Sequence, residues 1–276
     1  MHLATSGDGL VLLIALLAAA GLVAGFLSGL LGIGGGGVLV PILYEAFGVA
    51  GVPDGVRMHV TLGTTLAVIA PTVLRSLAAH RARGAVDEAV IKRMAPWVVA
   101  GVSLGIFLAK GASSEALRWV WVVFGSLLAL KMALGRDDWR LGNELPAPPK
   151  LETLSFGIGV ISTLMGIGGA TFTVPMLTLY GRPLLQSVAT ATGIGAAIAV
   201  PGLIGYIWSG WHEPGLPPYS LGFVNLGALL IAPLSVFAAP YGVQTAHGIA
   251  KRKLEIAFAI FLTTVVARFL WTLLAQ

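Results

Sequence analysis

Long apolar stretches alternate with short polar connections along almost the whole chain. The stretches that contain almost no Asp, Glu, Lys or Arg are residues 10–31, 61–79, 97–109, 116–134, 186–208, 221–239 and 257–274. The hydrocarbon core of a bilayer is crossed by about 20 apolar residues of helix. The pattern therefore predicts helices that span a membrane or are buried in it.

Composition supports a membrane protein and excludes several kinds of chemistry. Of the 276 residues, 57% are hydrophobic and 11% are charged, whereas soluble domains carry about 25% charged residues. The net charge of +5 is spread over the connections, so nucleic acid is not an expected partner. The chain has no cysteine, which excludes disulfides, thiolate metal sites and thiol catalysis. The first stretch lacks a basic segment before it, so we expect it to belong to the mature protein.

A glycine-rich segment occurs twice. Residues 28–43 read SGLLGIGGGGVLVPIL and residues 162–177, at an offset of 134, read STLMGIGGATFTVPML, with nine of sixteen positions identical. A weaker similarity at an offset of 126 pairs TLGTT at 61–65 with SVATA at 187–191. A fixed internal offset is typical of repeated structural units. We therefore predict two homologous transmembrane repeats, residues 1–135 and 151–276, joined by a charged, proline-rich linker at 136–150.

Lys and Arg in the short connections predict the orientation, because cytoplasmic loops are enriched in them. The connection after the 61–79 stretch, the linker and the connection before the last stretch are basic, whereas 209–220 contains neither Lys nor Arg. The linker is therefore expected in the cytoplasm and 209–220 outside. Both termini then lie outside the cytoplasm, in a multi-pass protein of the plasma (inner) membrane.

This sidedness requires each glycine-rich segment to return to the face from which it came. The pieces 153–165 and 171–180 are each about half as long as a span, so a re-entrant hairpin is the economical shape. Residues 10–31 are long enough to cross fully, and two complete crossings give the same sidedness. The predicted fold is an all-α polytopic membrane protein of two inverted repeats, each a Gly-interrupted helix or re-entrant hairpin followed by three transmembrane helices. Secondary transporters are often built in this way.

Three interpretations of the glycine segment compete. A dinucleotide-binding fingerprint is spelled by GIGGGG at 32–37, but a helical pattern precedes it where a strand is required. Close helix packing explains the glycines at four-residue spacing on one helix face, Gly21, Gly25 and Gly29. The third interpretation is a helix break followed at once by a new helix, whose N-terminal amides attract an anion. Two such breaks predict an anion site made of Gly34, Gly35, Gly36, Gly37, Gly168, Gly169, Ala170 and Thr171.

Other polar residues at membrane depth are candidates for the same site. The hydroxyl groups that we expect to donate to oxyanion oxygens belong to Thr64, Thr65, Thr190 and Thr192. Intramembrane hydroxyls also commonly bond to their own helix, and the same two interpretations hold for the residues flanking the breaks, Ser28, Ser162, Thr171 and Thr173. Candidates for a charge or coupling role are Arg75, Arg268, His59, His80 and Glu45. The alternative for these is an interfacial position near a helix end.

At these residues the chain resembles the sulfite exporter TauE/SafE family of membrane permeases. The resemblance rests on GLLGIGGGGVLVPIL at 29–43, on LGTTL at 62–66 followed by His80 and Gly84, and on GIGGATFTVPML at 166–177. It covers essentially the whole chain and implies a secondary, proton- or potential-linked carrier of sulfur-containing anions. The second copy departs from the first at Ala170 and Thr171, and ATAT at 189–192 replaces a more usual Thr-Ser pair, so the specific anion stays open.

The expected function is a secondary transporter, by family analogy an exporter, that binds its anion between the two breaks and works by alternating access. Sulfite, thiosulfate and C2 sulfonates are the expected substrates, and protons are the candidate coupling ion. An anion channel that uses the same amide site is the alternative. A membrane enzyme is disfavoured because no buried carboxylate pair, metal cluster or activated nucleophile is apparent. No metal, cofactor or nucleic acid is expected, and the oligomeric state is not indicated.

Overall fold

The computed structural model describes residues 18–19, 21–27, 35–135, 139–247, 249 and 251–275. This part of the chain is mainly helical, and residues 21–27 form a helical stretch ahead of the first named helix. The helices are α1 Gly36–Val49, α2 Asp54–Ala82, α3 Glu88–Gly111, α4 Ser114–Leu134, α5 Lys150–Met165, α6 Ala170–Leu179, α7 Leu184–Ser209, α8 Ile231–His247 and α9 Lys251–Leu274. A short antiparallel hairpin, β1 Ser220–Leu221 and β2 Val224–Asn225, and a 3₁₀-helix, Gly227–Leu230, precede α8.

The lengths of the helices confirm an all-α polytopic membrane protein. Among the described residues, five helices are long and apolar enough to cross a bilayer: α2, α3, α4, α7 and the part of α9 from Arg252 to Leu274. By contrast, α1 and α6 have only 14 and 10 residues. The pieces predicted at 153–165 and 171–180 correspond closely to α5 and α6, with the glycine break between them.

Local sequence sets where the long helices begin. The Asp87 carboxylate accepts the backbone N–H of Val90 at the start of α3, and the Ser113 hydroxyl accepts that of Ala116 at the start of α4. Such side-chain caps satisfy amides that have no partner within the helix. Helices α2 and α7 instead each follow a proline, Pro53 or Pro183, whose extended backbone ends the preceding connection.

The predicted helix at 221–239 is wrong over its first ten residues. The chain there forms the β1–β2 hairpin and the 3₁₀-helix, and α8 begins only at Ile231. Gly222 has a φ of 56°, a left-handed value that interrupts a helix and that glycine adopts readily. The Asn225 side chain accepts the Ala228 N–H at 2.9 Å, which caps the turn. Apolar residues of this stretch are therefore buried in a hairpin. Apolar character alone does not distinguish such a hairpin from a membrane-spanning helix.

The two longest helices, α2 and α7, pack against each other at the centre of the molecule. The short helices lie beside them, α1 on α2 and α6 on α7, while α3 packs on α5 and α4 on α9. Small residues bring several pairs close together. The predicted packing role is confirmed for Gly21 and Gly25, which contact the backbone of Ile231 and Ser235 in α8. Gly29 lies outside the described residues.

Candidate functional site

The two glycine breaks meet inside the protein. A Cβ atom added at Gly36 would lie 2.7 Å from the Cα of Ile167 and 3.0 Å from the carbonyl oxygen of Gly166. Because a real Cβ cannot come that close to backbone, only glycine allows this approach. Gly36 is the first residue of α1, and Ala170, the first residue of α6, follows Ile167 by three positions. The start of α1 therefore lies against the break that precedes α6.

A left-handed glycine ends α5 at the second break. Gly166 has a φ of 64°, and the Ile167 N–H donates to the Ser162 carbonyl at 3.0 Å while the Gly166 N–H donates to the Thr163 carbonyl at 3.2 Å. These two bonds form a Schellman cap, which requires the left-handed conformation that glycine supplies. The glycine of the second break is thus explained by backbone geometry.

Two aromatic side chains bind carbonyl groups at the end of α5. The Trp121 indole donates to the Met165 carbonyl at 2.9 Å, and the Tyr206 hydroxyl donates to the Thr163 carbonyl at 3.1 Å. Both aromatic residues are buried. The last carbonyls of a helix carry its partial negative charge and have no partner within it. With these two carbonyls already bound, the adjacent helix starts contribute mainly partial positive charge to the junction.

The predicted glycines of the site lie around this junction, apart from Gly34, which is outside the described residues. Gly35 precedes α1 with a φ of 58°, and Gly37 follows Gly36 in the first turn. Gly168 and Gly169 precede α6, and the backbone nitrogen of Gly169 lies beside Gly195 of α7. Thr171 is buried and Ala170 half-buried in the first turn of α6. Of these residues, Gly36 is the one that contacts the opposite break directly.

The four predicted threonines divide into two pairs. Thr65 donates to the Thr61 carbonyl at 2.8 Å and Thr192 to the Ala189 carbonyl at 2.6 Å, so both hydroxyls bond to their own helix. Thr64 accepts the backbone N–H of Asn225, and Thr190 accepts that of Asp87, each at 3.0 Å. The second pair therefore joins a central helix of one half to a connection in the other half.

Comparison with known proteins agrees with this architecture. The family model described as sulfite exporter TauE/SafE matches residues 17–269. The chain belongs to the TauE/SafE family.

Curated relatives of this TauE/SafE chain carry general names. A probable membrane transporter protein of Haemophilus influenzae is 32% identical over 247 residues, covering 89% of this chain and 93% of the relative. A probable membrane transporter protein of Methanocaldococcus jannaschii is 28% identical over 257 residues, covering 91% and 93%. No solved structure matches the chain significantly. The family and these relatives indicate a multi-pass membrane transporter.

The structure gives each charged candidate of this TauE/SafE chain a specific place. The Arg268 guanidinium pairs with the Glu45 carboxylate at 3.0 Å, and both side chains are about half exposed. Arg75 is exposed and His80 half-buried near the end of α2. These four residues therefore lie on the protein surface or near it.

His59 is the buried member of the charged candidates. It is 5% exposed, and its Nε2 lies 2.9 Å from the Ala109 carbonyl oxygen. Its ring stacks on Phe223, with the ring centroids 4.9 Å apart, and its Nδ1 has no hydrogen-bond partner among the described residues. His59 thus lies where the β1–β2 hairpin meets the beginning of α2 and the end of α3.

Sequence reasoning missed several residues that shape this region. Arg118 is only 3% exposed and donates to the Thr272 hydroxyl at 3.3 Å. It lies one helical turn from Trp121, and the signal that could have found it is a cation within an apolar stretch. Trp121 and Tyr206 carried no such signal, because buried aromatic residues are ordinary in membrane helices. The described residues contain no cluster of His, Asp or Glu that could hold a metal ion.

Proposed function

We propose that the protein is a secondary transporter that exports a small sulfur-containing anion, such as sulfite or an organosulfonate, by alternating access. The observation that carries the proposal is the contact between Gly36 and Ile167, which brings together the starts of α1 and α6. The first amides of a helix have no intrahelical partner, and the helix dipole adds partial positive charge there. Two such helix starts bind an anion without a charged side chain in contact with it.

We further propose that the two halves are inverted repeats, each with a re-entrant hairpin. Contacts at one end of the molecule support this for the first hairpin. Gly21 and Gly25 follow Ile231 and Ser235 in the same direction, so the 21–27 helix runs inward from the start of α8. The Arg57 guanidinium at the start of α2 lies over the Tyr44 ring near the end of α1, 5.3 Å from its centroid. His59 and its partners at Ala109 and Phe223 connect these two regions at the same end.

Contacts at the opposite end support the same shape for the second hairpin. The Leu141 N–H, in the linker before α5, donates to the Leu179 carbonyl at the end of α6 at 2.7 Å. Arg93 near the start of α3 donates to the Pro146 carbonyl in the same linker at 3.3 Å. The second hairpin thus begins and ends beside the start of α3. The first hairpin begins beside the start of α8 and ends beside the start of α2, where His59 contacts the end of α3. Hairpins that enter from opposite faces are typical of inverted-repeat transporters.

The charge of the connections orients this arrangement. Lys and Arg are frequent in the linker and in the helix ends around the connection between α2 and α3, so that end faces the cytoplasm and the β1–β2 hairpin faces outward. We name the Thr64–Asn225 hydrogen bond the outer bond and the Thr190–Asp87 hydrogen bond the inner bond. Because Thr190 is the repeat counterpart of Thr64, the two bonds hold equivalent connections at opposite faces. We propose that alternating access breaks one of them at a time.

The proposal also covers the coupling ion and the direction of transport. Protons are the candidate coupling ion, and His59, His80, Arg75 and Arg268 with Glu45 are the groups through which coupling would act. Export as the direction rests on the family description and is an analogy at the level of the family.

Counterflow in proteoliposomes tests the transporter against an anion channel. Vesicles loaded with unlabelled sulfite or sulfoacetate should take up labelled substrate faster than empty vesicles, because a carrier exchanges substrate through its bound states. Uptake that does not saturate and shows no stimulation from the opposite side would contradict the carrier and favour the channel.

A further inference from the structure

Two hydroxyl groups beside the second glycine break lack hydrogen-bond partners among the described residues. Ser162 Oγ and Thr173 Oγ1 belong to side chains that are 0% exposed. A buried polar atom without a partner loses its bond to water and gains none in return. Native proteins seldom leave such groups unpaired, so each one calls for a physical reason.

The usual partner of a helical hydroxyl is available to both groups and is not used. Several hydroxyls of this chain donate to the carbonyl four residues earlier, among them Thr61, Thr65, Ser155, Thr163 and Thr178. Ser162 has the Ile158 carbonyl at that spacing, and Thr173 has the Gly169 carbonyl. Because neither bond is made, both hydroxyls remain free to donate to something else.

Ser162 and Thr173 lie on the two sides of the second glycine break. Ser162 lies one turn before the break, and its carbonyl accepts the Ile167 N–H at 3.0 Å. Thr173 lies one turn after the break, and its N–H donates to the Gly169 carbonyl at 2.8 Å. A helical side chain covers the turn on the N-terminal side of its own Cα. The Thr173 hydroxyl is therefore directed over the first residues of α6, where the Thr171 and Phe172 amides make only long bonds, at 3.4 and 3.3 Å, to the Gly168 and Gly169 carbonyls.

We propose that Ser162 and Thr173 donate hydrogen bonds to oxygen atoms of the transported anion at the start of α6. The assignment rests on the proposed function and makes it more specific. Two hydroxyls in addition to the amides suit a group with several oxygens, such as a sulfonate or sulfite. The counterpart of Thr173 in the first repeat, at the offset of 134, is Leu39, which is buried and apolar. The oxygens that the two hydroxyls bind are thus nearer the start of α6 than the start of α1.

Purified full-length protein and four variants test this assignment. Ser162→Ala and Thr173→Val remove the two hydroxyls, and Ser155→Ala and Thr163→Val are matched controls whose buried hydroxyls donate to Leu151 and Gly159. Titration with sulfite and with sulfoacetate, followed by thermal shift, should give a Kd about 10-fold or more higher in the first two variants, because bonds to charged groups are strong. The controls should retain the wild-type Kd.

Melting without ligand provides an independent readout. Removing an unpartnered hydroxyl should leave the Tm unchanged or raise it, whereas the controls lose a hydrogen bond and should melt lower. Wild-type Kd values in both Ser162→Ala and Thr173→Val would overturn the assignment. If wild-type protein binds neither probe, the proposed function fails. The Tm values then test whether the two hydroxyls lack partners within the protein. A Tm loss in both variants as large as in the controls would then overturn the assignment of ligand-directed hydroxyls, and an unchanged or higher Tm would support it.

Discussion

The Thr64 hydroxyl accepts a hydrogen bond from the backbone nitrogen of Asn225, 3.0 Å away and 161 positions later in the chain. Thr190, which lies at the offset of 126 from Thr64, accepts one from Asp87 at the same distance. Further bonds hold each connection in place: the Asn225 amide donates to the Pro218 carbonyl, and Arg182 pairs with the Asp87 carboxylate. Each central helix is therefore bound to a connection of the other half.

Breaking these bonds singly should open one face at a time. Thr64→Val leaves the Asn225 N–H buried without an acceptor and should cost about 1–3 kcal/mol of stability. Because the chain has no natural cysteine, single cysteines report accessibility directly. Thr64→Val should speed maleimide labelling of Ser209→Cys near the β1–β2 hairpin, and Thr190→Val should speed labelling of Ser187→Cys near the start of α7.

Each variant serves as the control for the other. Ser209 and Ser187 are both buried, at 9% and 0% exposure, so an increase in labelling has a low starting point. Equal increases at both cysteines in either variant would contradict separate outer and inner bonds.

Adjacent glycines at the start of α1 should respond very differently to a methyl group. Gly36→Ala forces a Cβ against the Ile167 backbone at 2.7 Å, so the two breaks must separate. At Gly37 the nearest atom to an added Cβ is Phe258 Cζ at 3.6 Å, which is ordinary contact. Gly36→Ala should lower the Tm, and Gly37→Ala should preserve or raise it, since alanine favours helix by about 0.5–1 kcal/mol. Equal Tm values for the two variants would contradict the contact between the breaks.

Removing the aromatic donors should weaken the second break. Trp121→Phe keeps an aromatic ring near Phe269, whose centroid lies 6.0 Å from the tryptophan ring, but removes the donor to the Met165 carbonyl. Tyr206→Phe does the same for the Thr163 carbonyl. Trp121→Phe should lose about 1–3 kcal/mol of stability in denaturant unfolding, because the buried Met165 carbonyl loses its partner. Tyr206→Phe should lose only about 0.5–1.5 kcal/mol, because the Thr163 carbonyl keeps the Gly166 N–H as a partner. The double variant tests whether the two losses of stability are additive. Unchanged stability in both single variants would show that these hydrogen bonds contribute nothing to stability.

Two exposed tryptophans test the orientation. Trp139 in the linker and Trp211 after α7 are 51% and 57% exposed. In intact cells, a membrane-impermeant maleimide should label Trp211→Cys and leave Trp139→Cys unlabelled until the membrane is permeabilised. The opposite pattern would reverse the orientation derived from Lys and Arg.

Structural features that depend on local sequence were predictable from the amino-acid sequence alone. Apolar length predicted the spanning helices, and the duplicated glycine segment predicted the break between α5 and α6. The partners of the threonines were not predictable, because Thr64 and Asn225 are distant in sequence and a hydroxyl suits a loop, a ligand or its own helix equally well. The β1–β2 hairpin was missed for a related reason, since its apolar residues are buried by α2 and α7 and not by lipid.

The charged candidates illustrate the same limit. Arg268 and Glu45 lie on α9 and α1, 223 positions apart, so only the fold pairs them. Arg118 lies within a predicted span, and the sequence offered no measure of its burial. Residue type indicated that a cation at membrane depth needs a partner, but the identity of the partner depends on tertiary contacts.

Binding of a sulfur-containing anion to wild-type protein and to a variant of the second break tests the central claim most directly. Gly169→Val places side-chain atoms at the start of α6, where an added Cβ meets the flexible end of Ile198 at 2.5 Å, whereas nothing lies within 4 Å of one at Gly157 in α5. Thermal-shift titration with sulfite, thiosulfate, sulfoacetate, isethionate and taurine should detect binding of at least one of them to wild-type and Gly157→Val protein. The account predicts that Gly169→Val remains folded in detergent and loses this binding. Binding of that anion to folded Gly169→Val protein with the wild-type Kd would contradict it.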